Sequence, residues 1–173
     1  SNSEYDPEKA KALLAEAGYP DGFTTTLKLP PPSYARRGGE IIAAQLRAVG
    51  IETEISNLEW AQWLEEVFRG YDFGLTIVSH TEPADIGIYA NPTYYFQYEN
   101  PAFQQLISDL STENDPAVRS EKLKEAQTII SEDYVNGYLF QLALTTVVNS
   151  KLNGIWENAP TQAVDLTGVS WSE

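Results

Sequence analysis

Thr24-Thr25-Thr26-Leu27-Lys28-Leu29, Ile51-Glu52-Thr53-Glu54-Ile55 and Phe73-Gly74-Leu75-Thr76-Ile77-Val78 are the three runs on which the fold turns. The first is β-branched and closed by Pro30-Pro31-Pro32. The second alternates as a half-buried strand should. The third is a nearly continuous apolar run, the pattern of a strand covered on both faces. Between the first and second, Ile41, Ile42, Leu46 and Val49 share one face of a helix predicted over 34–49, and Gly50 closes it. Between the second and third, Trp60, Trp63, Leu64, Val67 and Phe68 follow the same helical period, which assigns both Trp residues to the core. Strand, helix, strand, helix, strand in so short a span predicts βαβ units: an α/β fold with a mixed, mainly parallel sheet flanked by helices.

The flanking segments fit that frame. An Asx residue stands directly before Pro at three places, Asp6-Pro7, Asn100-Pro101 and Asp115-Pro116. An Asx side chain caps a first helical turn, and Pro at the first helical position loses nothing by lacking its own donor. Ala10, Leu13, Leu14 and Ala17 make the first helix, with Gly18 as its stop and Tyr19-Pro20-Asp21-Gly22 as a turn. Phe103, Leu106, Ile107 and Leu110 line a later helix; Leu123, Ala126 and Ile130 line the last one. Residues 79–99 are expected to be a long loop. Residues 138–148 read as a strand with a break near Thr145, and 155–171 as irregular with one short strand. No linker divides the 173 residues, so a single α/β domain is expected.

Composition narrows the function. The net charge of −14 repels nucleic-acid phosphates and anionic lipid, and no run reaches the ~18 apolar residues a membrane helix needs. With 42% apolar and 21% charged residues the chain is not a disordered acidic tail. Without Cys it has neither disulfides nor thiolate chemistry nor a Cys-based zinc site. There is no Met, Ser1-Asn2 reads as a cloning scar, and the helical pattern begins at once, so the chain is expected to be a piece of something longer.

The loop after Val78 is the site candidate, because ligand crevices in open α/β sheets form beyond the carboxyl ends of the strands. It carries Ser79-His80-Thr81-Glu82-Pro83-Ala84-Asp85, including the only His. From Gly70 to Val118 there are seven acids and no Lys or Arg, and Tyr89, Tyr94, Tyr95, Phe96 and Tyr98 fall in the same span. Carboxylates beside aromatic faces can hold a cation. The competing explanation is solvated acids and packed rings. His80, Glu82 and Asp85 could also hold a metal for hydrolysis. A Ser triad has no nucleophile elbow, two carboxylates three apart are a weak glycosidase signature, and no phosphate-cradling Gly motif is present. Tyr34 and Arg36 stand at the mouth of the second helix, where a cation opposes the helix dipole; Arg36 is therefore expected to pair across a cleft or with a ligand carboxylate. The ligand-binding set expected from sequence is His80, Glu82, Asp85, Tyr34, Tyr89, Tyr95 and Arg36, with no catalytic residue, metal or cofactor.

These residues add up to a pattern that resembles the second lobe of the family 5 extracellular solute-binding proteins, the peptide and nickel type that feed ABC importers. The likeness runs through Tyr5-Asp6-Pro7-Glu8-Lys9-Ala10 to Gly18-Tyr19-Pro20-Asp21-Gly22-Phe23, then Ala44-Gln45-Leu46 with Val49-Gly50-Ile51, Glu59-Trp60, Tyr71-Asp72-Phe73, Asn100-Pro101-Ala102-Phe103, and Asp115-Pro116-Ala117-Val118-Arg119 with Glu125-Ala126-Gln127. The resemblance implies one jaw of a two-lobed periplasmic, extracellular or lipid-anchored receptor, whose first lobe lies upstream. Such a receptor closes on a peptide-like or amine-bearing solute and hands it to a membrane permease. It also implies an acid after the third strand that meets the ligand's amino group, matched here by Glu82 and next by Asp85. Two departures stand out. Ser79-His80 replaces the family's Gly-Trp, and Pro31-Pro32-Ser33 occupies the place where dipeptide-type members carry an Arg, which speaks against a dipeptide. Arg36-Arg37 resembles a helix-start pair common in the family. The alternatives from other classes are a metal-dependent hydrolase using His80, Glu82 and Asp85, and an acidic module that docks a protein partner.

Overall fold

The computed structural model describes residues 4–80, 85–141, 143, 145–157 and 165–172. They divide into two compact units, one of residues up to Ser79 with Ile86–Val135, the other of His80, Asp85 and the described residues from Asn136 onward.

The first unit is built on a three-stranded parallel sheet in the order β2-β1-β3, from β1 (Phe23–Leu29), β2 (Ile51–Asn57) and β3 (Leu75–Thr76). Register runs from Phe23 opposite Ile51 to Leu29 opposite Asn57, and β3 sets Leu27 opposite Leu75. Alternation along the central strand β1 decides what covers each face. Leu27 and Leu29 are buried with Ala43 of α2 (Ser33–Arg47). That helix approaches so closely that a Cβ on Gly39 would lie 2.3 Å from Leu29 Cδ1. Lys28, between them in sequence, faces the other way. Its ammonium donates at 2.8 Å to both Glu66 and Asp72, on and beyond the helical segment that follows β2. This segment starts as α3 (Trp60–Trp63) and widens into a π-helical stretch, Leu64–Arg69.

At the amino edge β1 and β2 nearly touch. Gly22 and Gly50 both have positive φ, 75° and 100°, and the Phe23 N–H donates to the Gly50 carbonyl at 3.2 Å. A Cβ on Gly22 would fall 1.7 Å from the Gly50 oxygen, so only glycine lets the two strands start in this register.

All three Asx-Pro pairs sit at helix starts. Asp6 caps α1 (Pro7–Glu16), accepting from Lys9 N–H; Asn100 caps α4 (Pro101–Thr112), accepting from Phe103 N–H. Asp115 caps α5 (Pro116–Glu132), accepting from Ala117 and Val118 N–H. Phe103 and Leu106 of α4 pack with Ala126 and Ile130 of α5 and with Tyr89. Asn100 also donates to Asp133 at 2.9 Å, and the Tyr98 hydroxyl donates to the same carboxylate at 2.5 Å. One side chain thus joins the start of α4 to the end of α5. Burial, and then the hydrogen bond to Asp133, push the Tyr98 hydroxyl up to about 12. A raised folded-state value holds the proton, so this stability is complete below pH ~10 and fades as pH climbs toward 12. In a spectrophotometric titration Tyr98 should ionise near pH 12, and Asp133→Asn should lower that value. A wild-type curve that Tyr98→Phe leaves unchanged near pH 12 would contradict the arrangement.

In the second unit, β4 (Leu152–Asn153) pairs antiparallel with β5 (Ser170–Trp171). The sequence-based expectations need three corrections here. Phe73–Val78 forms ladder pairs only at Leu75–Thr76, because Phe73 and Val78 pack into a side-chain cluster instead. The 79–99 stretch contains a 3-10 helix, Asp85–Ala90, which carries Tyr89 into the core. The described residues of 138–148 form no strand pairing.

Candidate functional site

Because the strands are parallel, their carboxyl ends meet at one edge of the sheet. There lie Pro30-Pro31-Pro32 and Tyr34 after β1, Leu58 and Glu59 after β2, and Ser79 beyond β3. Leu58 N–H donates to the Leu29 carbonyl at 2.9 Å, continuing the ladder by one bond. The Tyr34 hydroxyl, at the first turn of α2, accepts from the Ser79 N–H at 2.9 Å. That bond ties the helix that follows β1 to the chain that leaves β3. Tyr34 is therefore a positioning group at this edge.

Arg36 does pair across the edge, but with protein. Its guanidinium donates to the Leu58 carbonyl at 3.4 Å and to Glu59 at 3.2 Å. Glu59 is mostly exposed, and Arg36 Nε is buried with no hydrogen-bond partner among the described residues. This pair offsets the unfavourable placement of a cation at the start of α2, a helix whose Pro32 cap supplies no side-chain bond. Trp60 follows Glu59 and keeps 42% of its surface exposed, whereas Trp63 is buried. Sequence periodicity assigned both to the core, and only Trp63 is there.

Tyr95 is buried with Leu58, Trp63 and Val67; its ring centroid lies 5.9 Å from that of Trp63 and 5.5 Å from that of Phe68. Tyr89 is buried with Phe103 and Leu106. Both side chains are buried, each within a packing cluster. Asp85 and His80 are half-buried and belong to the second unit. Glu82 lies outside the described residues. Among the described residues no group of three His, Cys, Asp or Glu side chains is placed to hold a metal ion.

Sequence reasoning missed the Lys28 network. Lys28 is 12% exposed, its pKa is raised first by the hydrogen bond to Asp72 and then by that to Glu66, and Glu66 is lowered by Lys28 and by the amide of Gln62. Nothing local could reveal it, since the partners lie 38 and 44 residues away. An open recess of about 220 Å³ at the opposite edge, lined by Tyr5, Asp6, Ala10, Gln45 and Val49 among others, includes none of the expected site residues.

Comparison with known proteins places this geometry. Residues 1–97 match the family model described as bacterial extracellular solute-binding proteins, family 5 Middle. The glutathione-binding protein GsiB of Salmonella choleraesuis is 32% identical over 171 residues, covering 88% of this chain and 33% of its own length. Heme-binding protein A of Haemophilus influenzae is 42% identical over 71 residues, 38% of this chain and 13% of that protein. The crystal structure of a periplasmic oligopeptide-binding protein from Borrelia burgdorferi superposes with a TM-score of 0.75 at 26% identity, covering 99% of this chain and 37% of that one. This chain thus spans about a third of the relatives that match it end to end. Its α/β fold is that of the type II periplasmic binding proteins.

Proposed function

The chain belongs to the family 5 bacterial extracellular solute-binding proteins, and from that premise we propose that it is one lobe of a receptor that captures a peptide-like or amine-bearing solute for an ABC importer, without altering it. The single observation that supports this most is the Tyr34–Ser79 bond, because it ties the start of α2 to the chain leaving β3 at the carboxyl edge of a parallel sheet, where ligand crevices form. Glu82 takes the solute's ammonium group, Asp85 adds negative potential, and His80 contributes shape and a hydrogen bond. The opposing wall comes from the rest of the polypeptide. Solute touching both lobes stabilises their closed arrangement, which the permease recognises. The receptor works in the periplasm or outside the cell; no helix among the described residues is long and apolar enough to cross a membrane.

The test is a thermal-shift screen of the full-length polypeptide against tripeptides, longer peptides, glutathione, opines, simple amines and heme. Glutathione is on the panel because a relative is named for it and because it is itself a peptide with a free amino group. A true ligand at about 100 times its Kd should add about 2.7 kcal/mol of stability. Glu82→Gln keeps the shape and removes the charge, and should weaken binding by about 2–5 kcal/mol. A shift produced by heme alone, or one that Glu82→Gln leaves intact, overturns the amine reading. Turnover of a bound peptide overturns the claim that the solute leaves unaltered.

A further inference from the structure

For two opposite charges, Arg36 and Glu59 hold each other loosely. One guanidinium nitrogen, Nη2, serves both acceptors, at 3.4 Å to the Leu58 carbonyl and 3.2 Å to Glu59. Charge-assisted bonds ordinarily close to about 2.7–2.9 Å, and Lys28 reaches 2.8 Å on each of its two carboxylates. Only one Glu59 oxygen is engaged, although a guanidinium fork and a carboxylate match through two parallel bonds. Nε is buried with no partner among the described residues, so the side chain forgoes a bond it is shaped to make. Glu59 keeps 80% of its side chain exposed, and a pair so open to water adds little stability. The start of α2, which no side chain caps, disfavours a cation in any case. Arg36 therefore has more to gain from a second acceptor than it holds in Glu59. Its place is the carboxyl edge of the sheet, two residues from the Tyr34 that binds Ser79. In a chain of net charge −14, an acidic group on a solute is admitted only where a cation receives it.

We propose that Glu59 is a stand-in for a carboxylate of the solute: it occupies Arg36 in the empty receptor and gives the guanidinium up when the solute arrives. The exchange replaces one exposed, single-pronged bond with a two-pronged one. Glu59 thereby sets specificity as an internal competitor, and the solute class narrows to compounds that carry both an ammonium and a carboxylate group. The inference rests on the proposed function, since it concerns the same capture of solute.

Calorimetric titration of the full-length receptor reads the exchange, with trialanine, trileucine and glutathione, the C-terminal amides of the two tripeptides, and butylamine as a plain amine. The amides should bind about 30-fold or more weaker than the free acids. Arg36→Gln should weaken the acids by a similar factor and leave the amides nearly unchanged; Arg36→Lys keeps the charge without the fork and should restore only part. Glu59→Gln should tighten the acids about 2–5-fold, because the competitor is gone. Arg37→Gln removes the same charge from the exposed neighbouring side chain and should matter far less. Equal affinities for acids and amides overturn the proposal, and so does a Glu59→Gln variant that binds acids more weakly, since the ion pair would then be a fixed support. An Arg37→Gln loss as large as that of Arg36→Gln also overturns it, because the attraction would be one of general charge. Binding lost in Glu82→Gln but indifferent to Arg36 sinks this inference alone. Binding that needs Arg36 but ignores Glu82→Gln defeats the ammonium reading and leaves this one standing; no binding by any of the compounds defeats both.

Discussion

Gly22→Ala is expected to destabilise the chain by about 2–5 kcal/mol. The left-handed backbone costs an L-residue about 1–2 kcal/mol, and forcing a methyl group into closed space costs about 1–3 more. Both apply at Gly22: φ is 75°, and the new Cβ would sit 1.7 Å from the Gly50 oxygen. That obstacle is backbone in the neighbouring strand, so relief requires β1 and β2 to separate where their ladder begins. Gly18→Ala is the matched control. Its φ of 91° carries the same conformational cost, but nothing lies within 4 Å of the added methyl. Urea midpoints should therefore fall clearly further for Gly22→Ala than for Gly18→Ala. Equal shifts would mean that the two glycines matter only for backbone conformation and that the close approach of the strands does not.

Trp63→Ala should cost about 3–5 kcal/mol, the usual range for emptying a large aromatic site in a core. The indole is buried with Leu58, Val67 and Tyr95, and it meets Trp60 edge-on at 5.7 Å. It also closes a polar chain: Nε1–H donates to Thr76 Oγ1 at 3.0 Å, and that hydroxyl donates to the Lys28 carbonyl at 2.7 Å. Trp63→Phe keeps much of the packing but loses the donor, and should fall between wild type and Trp63→Ala. Trp60→Ala should cost far less, because that ring is already partly in water. Chemical denaturation with near-UV circular dichroism reads all three. If Trp60→Ala is as damaging as Trp63→Ala, the assignment of Trp63 as the centre of this cluster is wrong.

What could be read in advance was local. Asx-Pro is a signal whose physics is complete within four residues, and it placed α1, α4 and α5 correctly. Pro30-Pro31-Pro32 ended β1 for the same reason, since Pro cannot donate to a ladder. The widening of α3 into a π-helical stretch was invisible, because Trp63, Val67 and Phe68 remain on one face whether the turn is regular or wide. The third strand was overcalled because an apolar run looks alike whether it joins a ladder or packs its side chains into a cluster. Aromatic composition is likewise shared by cores and by ligand walls, so the clusters that hold Tyr89 and Tyr95 could not be drawn from sequence. The part of the candidate site that depends on pairing between distant residues, Tyr34 with Ser79 and Arg36 with Leu58 and Glu59, was out of reach of any local pattern.

The Asx-Pro starts also decide how this molecule ages. An aspartyl carboxyl group can attack its own peptide carbonyl, and a proline nitrogen departs readily when protonated. The backbone entering α1 and α5 therefore carries built-in points of scission in warm dilute acid, at Asp6–Pro7 and Asp115–Pro116. Asn100 is spared the opposite fate. The cyclic imide through which asparagine deamidates needs a hydrogen on the next backbone nitrogen, and Pro101 has none, so the amide that holds α4 to α5 is shielded from that slow chemical clock.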